Sequence, residues 1–240
     1  MTAVAASPAV GWLEPVPELE SRGFRAFTTT RAAGSFATVG AEPVGEVMGR
    51  WRRLHETLAP FGPRLATAAQ VHGATVLVHE AGWTGWLRSD GADGHFSTVG
   101  GTGLAVSVAD CVPVFVAHPS GAVALVHSGW RGTAARITEQ AIALFVARGL
   151  AARDLIVHAG PSICGRCYEV SPEVHEALTG HRPAGHQPVD LRAVILGHAR
   201  AAGVRQLAAS EFCTRCDNDR FFSHRAGDAG RQLGVLIAPS

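Results

Sequence analysis

The chain contains no lysine. Apart from histidine and the N-terminus, every cation is therefore arginine, which excludes a lysine Schiff base and a lysine-bearing Walker phosphate loop. No apolar run reaches the roughly eighteen residues that a membrane span needs. Met1 to Val10 lacks the basic and continuous apolar regions of a secretory leader. A soluble, cytoplasmic protein with no membrane partner is expected. An excess of one charge is missing as well: 21 Arg against 20 Asp and Glu gives a formal net charge of +1. The arginines are dispersed, so there is no polybasic face for a phosphate backbone and nucleic acid is not an expected partner, whereas small anions remain open. Repeats, low-complexity blocks and long linkers are also absent.

What is present is a chain of 240 residues, 47% of them hydrophobic, enough to bury a large core. The simplest organisation is a loose N-terminus over residues 1–20 followed by one catalytic domain over 21–240. Strand-like apolar stretches occur at Thr75 to His79, Leu104 to Val108, Val112 to Ala117, Ala122 to His127, Leu155 to His158 and Leu233 to Ala238. Many are near-continuous, as strands covered on both faces are. Between them, Ile137, Ala141, Leu144 and Phe145 recur at helical spacing and predict a helix over Thr133 to Arg148. Asp190 is placed to cap a second helix over Leu191 to Ala202. The polar stretch Thr179 to Pro188 reads as a surface loop. The alternation indicates an α/β fold.

Cysteine is scarce and uneven: Cys111, Cys164, Cys167, Cys213 and Cys216. That is not the framework of a disulfide-stapled secreted domain, and reduced thiols are the default. The pairs CGRC (164–167) and CTRC (213–216) could join in a four-thiolate zinc site, although they stand further apart than in a zinc ribbon. Free, partly buried thiols are the blander account.

Cys111 and Asp110 interrupt the buried run LAVSVADCVPVFV (104–116), and burying either group without a partner is costly. Pro113, which cannot donate to a sheet ladder, implies an edge, bulge or strand end beside them. His127 closes the next strand in HSGWRG (127–132), and His72 lies upstream in QVHG (70–73). Two imidazoles and a thiolate can hold zinc at three corners and leave a fourth open, with Asp110 orienting a ligand or moving a proton. The same residues also suit a cysteine nucleophile activated by His127 or His72. Scattered core histidines are the third account, since the chain has 12 His.

QVHG (70–73), ADCVP (109–113), HSGWRG (127–132), GPSICGRCYEV (160–170) and FFSHRAGDAGR (221–231) together resemble the YfiH-like family, long labelled multicopper polyphenol oxidases or laccase-domain proteins. The resemblance runs from about Phe27 to the C-terminus. It implies a single-domain layered sandwich with mixed β-sheets and outer helices. It also implies zinc held by His72, Cys111 and His127, polarising substrate or activating water with Asp110 beside it. The implied reaction is phosphorolysis of adenosine, inosine, guanosine and methylthioadenosine, with phosphate attacking the anomeric carbon, and deamination of adenosine.

The partners so implied are purine nucleosides and phosphate, and a homodimer is compatible with the sequence without being fixed by it. Arg31 and Arg131 are the candidate contacts for substrate anions, with Arg225 and Arg231 behind them. Peptidoglycan editing or cysteine-hydrolase chemistry through Cys111 is the alternative implied by other members. Copper ranks behind zinc, because no His-x-His pair occurs to build a multicopper centre. Thr38-Val39-Gly40 departs from the family pattern after Arg31, and His224 replaces a frequent Tyr.

Overall fold

The computed structural model describes residues 11–239. Two six-stranded mixed sheets pack face to face. The first runs, in spatial order, Leu13–Pro15, Arg25–Thr29, Gln232–Ile237, Thr102–Val108, Arg64–Ala69 and Gly85–Asp90. The second runs Gln206–Ala209, Ile156–Ala159, Val112–Ala117, Val123–Ser128, Gly94–Ser97 and Val76–Val78. In the first sheet the pairs from Leu13–Pro15 to Thr102–Val108 are antiparallel and the two at the other end are parallel; in the second the three inner pairs are antiparallel and both end pairs parallel.

Side chains alternate across a strand, and that parity divides the core into layers. Val112, Val114 and Val116 face a cluster completed by Ile137, Ala141, Phe145 and Ile195 from the outer helices. Phe115 and Ala117, one position out of phase, face Leu104, Val106 and Val108 of the other sheet. The outer face of the first sheet is covered by the helix Val44–Leu58, through Val47, Trp51, Leu54 and Leu58 at helical spacing. The result is a helix–sheet–sheet–helix sandwich with three apolar layers, in which near-continuous apolar strands are buried on both faces.

Several local expectations meet corrections. The segment 133–148 is not one helix: Trp130–Ala134 and Ile137–Val146 are separated at Arg136, which takes a left-handed φ of 62°. Residues 11–20 are not loose, because Leu13–Pro15 pairs with Thr29 to Phe27 and a short helix follows at Pro17–Glu20. The other half of the expected loose N-terminus, residues 1–10, lies outside the described residues. Of the edge, bulge or strand end expected at Pro113, the structure shows a strand end and not an edge, since its strand runs between Ile156–Ala159 and Val123–Ser128. It is the second residue of that strand, where pairing has just begun. Asp190 does cap the Leu191–Ala201 helix, its Oδ1 accepting from the backbone of Arg192 at 3.0 Å and Ala193 at 3.3 Å. Within the expected loop 179–188, Gln187–Pro188 forms a short ladder with Glu169–Val170.

The layering makes neighbouring positions on one helix very unequal. Phe145 is fully buried, edge-on to Phe96 at 4.8 Å, whereas the next residue, Val146, is 52% exposed. Phe145→Ala should lower the unfolding free energy by about 3–5 kcal/mol, and Val146→Ala by no more than about 0.5 kcal/mol, as measured by urea denaturation.

Candidate functional site

Chain connectivity brings the site together where strand ends of the two sheets meet. In the second sheet Val112 pairs with Ser128 and Pro113 with His127, so Cys111, just before one strand, lies beside the end of its antiparallel neighbour. His72 arrives from the first sheet, in the connection from Arg64–Ala69 to Val76–Val78 of the second. The ligand atoms of His72, Cys111 and His127 all lie within 4.8 Å of one another. The two imidazole rings meet edge-on, 4.8 Å between centroids.

Asp93 holds this trio and is absent from every motif reading of the sequence. Its Oδ1 accepts from His127 Nδ1 at 2.8 Å and from the His72 backbone N–H at 2.9 Å. Its Oδ2 accepts from the backbone of Gly73 at 2.7 Å and Val71 at 3.2 Å. Burial works to raise the Asp93 pKa, but the bonds from His127, Gly73 and Val71 outweigh it and hold the carboxyl below its ordinary value. His72 has a φ of 59°, a conformation that costs a non-glycine residue on the order of 1 kcal/mol. Three successive N–H groups on one carboxylate over-determine that turn. Gln70 ties the same connection to the Thr102–Val108 strand through Ser107, its Oε1 accepting at 2.7 Å and its Nε2 donating at 2.8 Å.

The bond to Asp93 occupies His127 Nδ1 and leaves Nε2 for a ligand, the arrangement found behind metal-bound imidazoles. Burial pushes the Cys111 thiol up, but the charge of His127 and hydrogen bonds from His127 and His72 bring it down to about 6. Burial likewise opposes charge on His127, yet the Cys111 sulfur and the Asp93 carboxylate lift it to about 9. Close approach at Gly129 completes the pocket: a Cβ there would sit 2.9 Å from Cys111 Sγ and 3.5 Å from His72 Cδ2.

The trio lies in the wall of a cavity of about 750 Å³. Its charged lining is Arg88, Arg131, Arg225 and Arg231 against a single carboxylate, Asp110. Arg131 is exposed and lies over the Trp130 ring at 4.3 Å, with no carboxylate bonded to it among the described residues. Trp130 packs on the core beneath it, which makes it a support for Arg131. Arg225 and Arg231 direct guanidinium nitrogens to backbone carbonyls, of Glu169 and of residues 228–230 respectively.

Arg31, by contrast, does not line this cavity. Its Nε donates to Asn218 O at 2.9 Å and its Nη2 to Asp228 Oδ2 at 2.6 Å, and it stacks on Phe222 at 4.4 Å. It braces the 218–228 loop.

Asp110 is at the cavity but touches none of the trio by hydrogen bond. Its oxygens accept from Thr214 Oγ1 and from the Arg225 backbone, each at 2.7 Å. Asp110 therefore fixes the 211–228 loop, and of the roles expected of it, orienting a ligand falls to Asp93, which holds His127. Tyr168, the chain's one tyrosine, also lines the cavity. Burial and the nearby Cys111 raise its pKa to about 12 despite Arg225, so its hydroxyl stays a donor.

The ionisation of Cys111 can be read directly. In metal-free protein, alkylation by iodoacetamide should be half-maximal near pH 6, falling below that as the thiol protonates, whereas an ordinary thiol is half-maximal at about 8.5. The thiolate–imidazolium pair should persist until His127 deprotonates near pH 9. A rate that rises only above pH 8 would contradict this electrostatic account.

A family model described as multi-copper polyphenol oxidoreductase laccase matches residues 37–238. Purine nucleoside phosphorylase YlmD of Geobacillus stearothermophilus is 35% identical over 214 residues, covering 80% of this chain and 78% of that protein. A protein named adenosine deaminase RL5, from an unknown prokaryotic organism, is 36% identical over 160 residues, covering 61% of this chain and 59% of that one. The fold superposes on the crystal structure of YlmD with a TM-score of 0.86 at 30% identity, over 98% of both chains. It matches Bacillus licheniformis YfiH in fold, with a TM-score of 0.84 at 22% identity over 96% of this chain and 97% of that one. Extending over most of the chain and carrying the fold with it, this match places the protein in the laccase-like YfiH family.

Proposed function

We propose that the chain is a zinc-dependent purine nucleoside phosphorylase, with His72, Cys111 and His127 as the metal ligands. The observation that carries this reading is their convergence in the wall of a cavity lined by four arginines and one carboxylate. Two neutral imidazoles and a thiolate suit zinc, and three protein donors leave one position for a ligand, as catalytic sites do. Asp93, fixing the tautomer of His127, fits the outer partner such a site requires. When bound, zinc supplies a Lewis acid at this point of the cavity.

The remaining demands of phosphorolysis fall on the protein. A phosphate oxygen must bond to the anomeric carbon while the bond to the purine nitrogen breaks and its electron pair leaves on the base. Holding the dianion calls for fixed cationic donors, and Arg131, exposed and stacked on Trp130, has its donors free for that task. Arg88 lies on the same lining and offers a second cation. The protonated Tyr168 hydroxyl can donate to an oxygen or nitrogen where negative charge develops. Phe36 and Trp51 add an apolar portion to the cavity suited to a planar base. Adenosine, inosine, guanosine and methylthioadenosine are the expected substrates. Deamination of adenosine is a second activity of the same site, favoured by the relative named adenosine deaminase.

Chromatography of adenosine reactions with and without phosphate separates these outcomes. Phosphorolysis should give adenine and ribose 1-phosphate in a phosphate-dependent manner, and deamination should give inosine without phosphate. His72→Ala and Cys111→Ala should abolish both with the fold intact by circular dichroism, and full phosphorolysis in either variant would overturn the ligand assignment. Asp93→Asn should cost about 10–100-fold in metal affinity or activity. Arg131→Ala should raise the KM for phosphate about 10–100-fold, the loss of charge-assisted hydrogen bonds, with little change in the KM for adenosine.

A further inference from the structure

Four cysteines unused by the catalytic proposal also converge. The Sγ atoms of Cys164, Cys167, Cys213 and Cys216 lie within 4.8 Å of one another, and those of Cys167 and Cys216 are 3.5 Å apart although 49 positions separate them in sequence. With a zinc–sulfur distance of about 2.3 Å, the sulfurs of a tetrahedral four-thiolate site stand about 3.8 Å apart. The cluster therefore needs only small side-chain adjustments to close on an ion. We propose that these four residues form a second, structural zinc site that staples the loop 160–170 to the loop 211–218.

Three features of the cluster support this assignment independently of the activity. Each pair has the Cys-x-x-Cys spacing that presents two sulfurs from one tight turn. Cys213 Sγ accepts backbone N–H bonds from Cys164 at 3.3 Å and Cys216 at 3.5 Å, which fix it between the two turns. Each turn also carries an arginine before its second cysteine, Arg166 and Arg215. Those cations offset the charge of –2 that four thiolates leave on a divalent ion. Arg215 Nη1 donates to Cys167 O at 3.4 Å, linking the two turns directly. Soft thiolate donors without carboxylate or water positions select zinc over hard divalent ions. Cys216 is exposed, which gives the ion a path in.

One stapled loop, 160–170, reaches the cavity wall, and the other is bonded to Asp110 in that wall. Thr214, inside the second turn, donates through Oγ1 to Asp110 and through its backbone to Ser162 O at 3.1 Å. Ile163, just before the first turn, donates to the Asp110 carbonyl at 3.0 Å. Tyr168, immediately after Cys167, lines the cavity. A metal on the four sulfurs would fix Thr214 and Ile163, two of the three partners of Asp110, whose φ of 84° is itself strained. Its role is positioning, not catalysis.

The test is a zinc count by mass spectrometry on full-length, untagged protein carrying His72→Ala and Cys111→Ala, purified without chelator. The proposal expects one zinc per chain in that protein. Cobalt exchange should produce the visible and near-ultraviolet bands of a tetrahedral tetrathiolate. Adding Cys167→Ser and Cys216→Ser should remove the ion. In the otherwise native chain the same pair of serine substitutions should lower Tm by roughly 10 °C and reduce the zinc count by one. No zinc in the His72→Ala, Cys111→Ala protein would overturn the proposal, whether its four thiols then titrate as free or mass mapping finds them as disulfides. That count does not need the serine variants to fold. It is also separate from the catalytic reading: if only that reading fails, the native and the His72→Ala, Cys111→Ala proteins hold the same one zinc.

Discussion

A single buried carboxylate, Asp93, organises the site. Its side chain is fully buried and that of His127 is 3% exposed. A pair so enclosed is held by its mutual hydrogen bonding, and deleting one partner costs about 3–5 kcal/mol because the other is left uncompensated. Here the carboxylate serves two elements at once. It orients an imidazole at the end of one strand and gathers three backbone N–H groups of the connection that carries His72. The geometry of the trio and the left-handed turn at His72 therefore share one support, and the two sheets are joined through it.

The sandwich explains why chemistry can stand at this point without disrupting the core. Val112–Ala117 and Val123–Ser128 are buried throughout, so their ends offer rigid anchoring while the flanking loops supply variable side chains. His127 is held by strand pairing, and Cys111 by its place immediately before the paired strand Val112–Ala117. Arg88 stands on the edge strand Gly85–Asp90, whereas Arg131, Arg225, Arg231 and Tyr168 come from short helices and loops. The cavity consequently has a fixed, electron-rich floor of donor atoms and a cationic rim, a division that suits an anionic co-substrate brought to a neutral nucleoside. Loops 160–170 and 211–228 meet at Asp110, which binds both through its two oxygens and its carbonyl.

Much of this was legible in the residues. Apolar runs marked the central strands because both of their faces are covered, and the spacing of Ile137, Ala141 and Phe145 marked an outer helix. The QVHG, ADC and HSGWRG motifs identified three residues that the fold indeed brings within 4.8 Å. Asp93 was not legible, because its function depends on a long-range contact to His127. Asp110 drew the role that Asp93 fills because adjacency in sequence to Cys111 says nothing about where a carboxylate points when φ is 84°. Arg31 looked like an anion contact by residue type, and only the positions of Asn218, Phe221 and Asp228 reveal that its Nε and Nη2 are already committed. The helix Val44–Leu58 does carry an apolar stripe, but Gly45, Gly49 and five charged residues within it dilute the pattern. The break at Arg136 has no local signal at all.

The central claim is that His72, Cys111 and His127 hold a metal ion in the wall of the arginine-lined cavity. Anomalous diffraction from crystals of the native protein, recorded on both sides of the zinc absorption edge, tests it most directly. The account predicts an anomalous peak that appears only above the edge, between Cys111 Sγ and the two imidazoles. A map without that peak, with density for a covalent adduct on Cys111 in its place, would contradict the account and favour a thiol nucleophile.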